Sequence, residues 1–160
     1  MANLITIAAI GKNNELGYNN NLIWHLKKDL DNFKKLTNNH YIVMGKNTYY
    51  SLPKKLPNRK YIIISSSLPE SNDYILFKNI KDFISFFNSQ EEDIYIIGGA
   101  TIYKELLKYS NILILTEIDK DFNKADVYFP TFSKNNYTSK IISTYNENNI
   151  NYKIVEYKKK

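Results

Sequence analysis

The stretch "DIYIIGGATIYKELLK", Asp93 to Lys108, decides the fold. A short, continuous apolar run ends in Gly98-Gly99, and a helix-forming segment follows at once. A strand that is apolar along its whole length is covered on both faces, as in a parallel sheet. The same grammar recurs outward in both directions. Upstream, "LITIAAI" (Leu4 to Ile10) is a first buried strand, "YIVMG" (Tyr41 to Gly45) a second with a short helix "KNTYYSL" behind it, and "KYIIISS" (Lys60 to Ser66) a third. "YILF" (Tyr74 to Phe77) is a short fourth, with a helix around "IKDFISFFN", and Asp93 to Gly99 is the fifth. Downstream, "ILILTEID" (Ile112 to Asp119) is a sixth, and "YTSKIISTY" and "NYKIVEY" form a hairpin through "NENNIN". Strands alternating with helices imply an α/β fold: one domain over residues 1–160, a mostly parallel twisted sheet of about eight strands, helices on both faces and an antiparallel C-terminal edge.

Bulk properties exclude several classes. A chain of 160 residues with 43% hydrophobic content fits one domain with a real core. There are no cysteines, so thiolate metal sites, thiol nucleophiles and disulfides drop out, and the two histidines, His25 and His40, are too few for a histidine-rich metal cluster. No metal site is expected. No apolar run reaches membrane-spanning length, and the N-terminus reads as a buried strand rather than a signal peptide, so a cytoplasmic monomer is the expectation. The formal charge of +6 raises nucleic-acid binding, but the lysines are dispersed and the densest run, "YKKK", ends the chain. A solvated basic surface is the expectation, with no nucleic-acid partner and no membrane. Arg59 is the single arginine. Its planar fork suits a carboxylate or phosphate, where lysine substitutes poorly.

Chemistry concentrates where strands end. Between the first strand and the next helix, "GKNNELGYNNN" (Gly11 to Asn21) has no periodicity and reads as a long loop, a feature often functional in compact domains. "WHLKKDLDNFKKLT" (Trp24 to Thr37) reads as an amphipathic helix with Leu26, Leu30, Phe33 and Thr37 on one side and Asp31 on the far side. Asp29 falls near Phe33 and Leu36, towards the apolar stripe. An acid in a first helical turn also favours the dipole, by about 0.3–1 kcal/mol, so the helix alone leaves both readings open. Ligands of such sheets bind outside the carboxyl ends of the strands. Gly45, Lys46, Asn47 and Thr48 lie there, as do Ser65, Ser66 and Ser67, and Gly98 and Gly99. Free N–H groups, hydroxyls and positive helix ends at these positions suit a nucleotide phosphate, though each also fits an ordinary turn. Thr116, a hydroxyl within an apolar strand, either bonds backbone or orients Asp29. No nucleophilic triad and no metal-ligand spacing stand out, so acid–base work falls to carboxylates.

Taken jointly, "IAAI…LG", "W-H-L…D-L-x-x-F-K-x-x-T", "VMGKNTYYSL", "LPNRKYIIISS", "YIIGGATIYKELL", "LTEID" and "ADVYFP" resemble the dihydrofolate reductase family over nearly the whole chain. The resemblance implies reduction of 7,8-dihydrofolate to tetrahydrofolate with NADPH, supplying one-carbon metabolism. It places Asp29 at the pterin, with Thr116 hydrogen-bonded to it and Trp24 holding a site water. Ile7, Ala9, Leu30, Phe33, Leu52 and Ile97 would surround the pterin and benzoyl groups, and Arg59 would grip the glutamate α-carboxylate. Cofactor positions would be Ala9, Leu16, Gly17, Asn20, Leu22, Gly45, Lys46, Asn47, Thr48, Ser65, Ser66, Lys78, Gly98, Gly99, Ala100, Thr101, Ile102 and Tyr103. The Gly11–Leu22 segment matches a mobile loop over the nicotinamide, Asp126 a second-loop acid that supports its closed form, and the Gly98-Gly99 bond a cis peptide. Ile23 stands where proline is usual, Lys46 where arginine is common, Asn47 where histidine is common, and Thr101 where some bacterial members carry arginine. A pyrimidine-reductase relative would lack the L-P-x-R and W-x-L-x-x-D-L blocks, both present here. A non-catalytic module would bind without turnover, and the intact Asp29 argues against it.

Overall fold

The computed structural model describes residues 2–19, 21–52 and 55–160. Its main sheet has eight strands in the order β10-β11-β8-β1-β7-β4-β5-β6. These are β1 (Leu4–Ile10), β4 (Tyr41–Gly45), β5 (Lys60–Ile64), β6 (Ile75–Phe77), β7 (Ile94–Gly98), β8 (Ile112–Ile118), β10 (Tyr137–Glu147) and β11 (Ile150–Lys159). Pairings from β8 across to β6 are parallel, while β11 runs antiparallel to both β8 and β10. The expected architecture is therefore present, including the antiparallel edge. The hairpin turn falls at Asn148 and Asn149, both with positive φ (53° and 63°), the left-handed conformation that a two-residue hairpin turn demands and asparagine tolerates.

Period-two alternation sorts the strand residues onto two buried faces. Leu4, Ala8, Val43, Ile62, Ile94, Ile96, Leu113 and Leu115 face one layer, with Phe83 of α3 (Ile80–Asn88) and Ile102, Tyr103 and Leu106 of α4 (Ala100–Leu106). Ile5, Ile7, Ile42, Met44, Ile63 and Tyr95 face the other, against Phe33 and Leu36 of α1 (Lys27–Thr37) and Tyr49 of α2 (Lys46–Ser51). Chain direction then positions the cleft. β4 connects outward to β5, whereas β7 connects back across β1 to β8. The chain parts between β4 and β7, and Gly45 and Gly98 end those two strands.

Three expectations need correction. The Gly11–Asn21 segment is not all loop. It contains β2 (Glu15–Tyr18), and β3 (Asn21–Leu22) follows its turn; with β9 (Val127–Tyr128) these form a separate sheet in the order β3-β2-β9. The pairing partner lies more than a hundred residues downstream, so no local periodicity announces it. The opening helix starts at Lys27 rather than Trp24, and the residue before it, Leu26, contributes no side-chain cap. Leu30, grouped with the apolar side of that helix, is 50% exposed.

Candidate active site

The site assembles on β8 and β1, neighbours in the sheet, with Thr116 and Ala9 in register. Thr116, buried in the middle of the apolar strand, donates its hydroxyl to Asp29 Oδ1 at 2.5 Å. Asp29 sits in the first turn of α1 and points back at the sheet, so the inward reading of its helical phase is the correct one. Burial pushes its carboxyl above the ordinary carboxylate range; the Thr116 bond pulls the other way, and the Glu147 charge adds to the rise. Around it, Ile7, Phe33, Leu52 and Ile97 share one apolar cluster, and Ala9 and Trp24 join the next with Leu26 and Ile118. Leu30 stands exposed at the rim.

Two carboxylates unforeseen in sequence organise these elements. Glu147, at the hairpin tip, accepts the N–H of Lys27 (2.6 Å) and of Lys28 (3.2 Å) and the Tyr152 hydroxyl (3.0 Å). It caps α1 from across the molecule, and those N–H bonds hold its carboxyl below the usual range. Glu15, in β2, is the other. Nothing local marks either acid: one is flanked by asparagines in a turn, the other lies in what reads as a polar loop.

A hydrogen bond from Tyr103 to the Ile7 carbonyl (2.8 Å) carries the arrangement from β1 to the Gly-Gly turn. The Gly98-Gly99 peptide is cis, as the resemblance implies. Gly98 has φ +125°, and a Cβ on it would lie 3.5 Å from both Thr48 Oγ1 and the Tyr103 hydroxyl. A Cβ on Gly45 would meet Ile102 at 3.2 Å, so the exits of β4 and β7 and the start of α4 meet at close range. Neither α2 nor α4 has a side-chain N-cap. Their leading N–H groups are left for another acceptor.

Beyond this turn a cleft of about 580 Å³ is lined by Ser65, Ser66, Lys78, Lys81, Thr101 and Ile102. Lys46 reaches across to Ser67 (2.9 Å) at its margin, and Asn47 is exposed. Hydroxyls, lysines and uncapped N–H groups around a trough of this size fit a phosphorylated nucleotide cofactor. Nothing in the sequence marks Lys81 for this cleft, since a lysine in a helical first turn reads as surface. A larger depression of about 780 Å³, which includes Glu117, Asp119 and Lys153, takes in neither Asp29 nor the glycine turn.

At the opposite end, Arg59 is held by its own protein. Nε donates to Thr37 Oγ1 (3.2 Å), and the two terminal nitrogens donate to the carbonyls of Pro57 (2.6 Å) and Lys34 (2.5 Å). Of the five guanidinium N–H groups, these bonds leave two and fix the plane. Trp24, expected at a site water, donates its indole N–H to the Glu15 carbonyl (3.2 Å). Leu16 and Gly17 are buried, Leu22 is exposed, and Asn20 lies outside the described residues. Asp126 accepts the Asn19 N–H (3.1 Å), and its own N–H donates to the Gly17 carbonyl (3.1 Å), which ties the first loop to the second.

The family model for dihydrofolate reductase matches residues 3–159. The chain belongs to the dihydrofolate reductase family. Within that family, the dihydrofolate reductase of Bacillus subtilis is 37% identical over 161 residues, spanning 96% of this chain and 93% of that protein. The dihydrofolate reductase of Buchnera aphidicola from Acyrthosiphon pisum is 46% identical over 131 residues, 81% of this chain and 80% of that one. A bifunctional dihydrofolate reductase-thymidylate synthase of Paramecium tetraurelia is 39% identical over 155 residues. That alignment takes in 91% of this chain but 32% of the Paramecium protein. No helix among the described residues is long and apolar enough to cross a membrane.

Proposed function

We propose that this protein reduces 7,8-dihydrofolate to 5,6,7,8-tetrahydrofolate with NADPH. The observation that carries the reading is the Asp29 carboxylate, oriented by Thr116 against an apolar wall and linked through Ile7 and Tyr103 to the Gly98-Gly99 turn. NADPH, when bound, supplies the hydride. The chain supplies position and environment. Asp29 accepts hydrogen bonds from the pterin amino group and the adjacent ring N–H, and Thr116 fixes which oxygen faces them. Ile7, Ala9, Leu30, Phe33, Leu52 and Ile97 hold the rings and exclude water. Arg59 offers its two remaining N–H groups to the glutamate α-carboxylate. Gly45 to Thr48, Ser65, Ser66, Lys78 and Gly98 to Tyr103 receive the cofactor's phosphates and ribose; the lysines at the second cleft favour the additional 2′-phosphate over NADH. Leu16, Gly17, Leu22 and Trp24 cover the nicotinamide side. A solvent water delivers the proton to N5, its access controlled by Trp24 and the covering segment.

The test is NADPH oxidation in the presence of dihydrofolate, run beside Asp29→Asn and with NADH in place of NADPH. Asp29→Asn keeps the fold and loses hydride transfer severely at neutral pH, and NADH is the poorer donor. Parental turnover by Asp29→Asn would remove the assigned role.

A further inference from the structure

We propose that Glu15 is a positioning residue: its carboxylate latches the Gly11–Leu22 segment to the loop after β8, and its carbonyl sets the Trp24 indole at that junction. The proposal rests on the reading above for what the segment covers, but its structural half stands alone.

Glu15 is 1% exposed. A carboxylate at such depth ordinarily faces a cation. Among the described residues none pairs with it. Two backbone donors satisfy it instead. Asn13 N–H donates to Oε1 at 2.6 Å, and Phe122 N–H, 107 residues away, donates to Oε2 at 2.5 Å. One oxygen thus folds the start of the segment onto itself while the other grips the second loop. The same residue's carbonyl accepts from Gly11 N–H (3.1 Å) and from the Trp24 indole (3.2 Å).

Gly11 seals the junction. A Cβ there would lie 2.6 Å from Glu15 Oε1, 2.8 Å from the Trp24 ring and 2.9 Å from the Lys120 carbonyl. Three separate segments therefore close on one point with no room for a methyl group. The Asp126 bonds pin the outer end of the segment at an exposed position, and Glu15 pins the inner end in the interior. Without the carboxylate, the part-buried N–H groups of Asn13 and Phe122 lose their acceptor and the two loops can part. Leu16 and Gly17, next in sequence, would move with it.

Trp24 is the only tryptophan in the chain, so its emission reports on this junction without labelling. The experiment compares parent, Glu15→Ala, Glu15→Gln and Gly11→Ala by tryptophan emission, single-turnover hydride transfer at saturating NADPH and dihydrofolate, dihydrofolate Kd, and melting temperature. Glu15→Ala is expected to red-shift Trp24 emission and slow hydride transfer by at least about tenfold, the rate equivalent of one charged hydrogen bond. Its dihydrofolate Kd stays within about threefold of the parent, a small change on the same scale, because Asp29 and Thr116 are untouched. Glu15→Gln, which keeps one acceptor, falls between, and Gly11→Ala reproduces the Glu15→Ala emission shift. Parental emission and parental hydride transfer in folded Glu15→Ala would overturn the proposal, as would a rate loss no larger than the loss of folded protein. If Glu15→Ala does not fold, parental emission and rate in both Glu15→Gln and Gly11→Ala overturn it equally. A parent that fails to oxidise NADPH with dihydrofolate defeats the functional reading instead, and the emission comparison still decides the latch.

Discussion

Thr116→Val removes one donor and almost nothing else. Valine keeps the shape of threonine, so the strand and its packing survive while Asp29 Oδ1 loses its 2.5 Å partner. A hydrogen bond to an ionised group contributes about 1.5–3 kcal/mol. Asp29 keeps some contact with solvent, which places the loss near the low end, about 1.5 kcal/mol at neutral pH. The pH dependence has a definite sign. The Thr116 bond lowers the Asp29 pKa, opposing the larger rise that burial causes. Its charged contribution is therefore present above the folded-state pKa of Asp29 and fades as pH falls through it, leaving a neutral bond of about 0.5–1 kcal/mol. Urea melts of parent and Thr116→Val from neutral pH down past the ordinary carboxylate value of 3.8 should show the stability gap narrowing. Over the same series, dihydrofolate affinity, which follows ionised Asp29, should have its midpoint at higher pH in the variant. A gap that is constant with pH, together with an unmoved binding midpoint, would refute the claim that this hydroxyl serves the Asp29 charge.

Glu147→Gln should act in the opposite direction. It removes a negative charge that raises the Asp29 pKa, so the midpoint of dihydrofolate binding moves to lower pH, while the weakened cap on Lys27 and Lys28 lowers the melting temperature. An unshifted midpoint would separate the cap from the site. Arg59→Lys replaces a fork braced on Thr37, Pro57 and Lys34 with a single ammonium, and should weaken dihydrofolate binding by about tenfold while leaving a pterin that lacks the glutamate unaffected. Equal losses for both ligands would place Arg59 in a purely structural role.

The inner strands β1, β4, β5, β7 and β8 are legible because each is apolar along its length, a signal local to each strand, and the β10–β11 hairpin is legible from its asparagine-rich turn. Asp29 was readable for the same reason: its angle on α1 relative to Phe33 and Leu36 follows from helical geometry alone. What escaped is whatever depends on distant partners. The short strands at Glu15–Tyr18 and Val127–Tyr128 stabilise each other, and neither has a pattern of its own. The start of α1 was placed too early because its cap is supplied by residue 147 rather than by a serine or aspartate next to it. Leu30 shares the helical phase of Leu26 and Phe33, and phase alone does not separate an exposed apolar residue from one that packs. Glu15 carried no signal, since its acceptors' partners are main-chain N–H groups, which every residue but proline possesses.

The cap on α1 has a consequence for how the chain matures. Asp29 leaves the ribosome 87 residues ahead of Thr116, whose hydroxyl orients it, and the carboxylate that caps its helix follows only at Glu147. A nascent chain halted before the β10–β11 hairpin has its acid and lacks what organises it, so competence waits for that hairpin and arrives in one step.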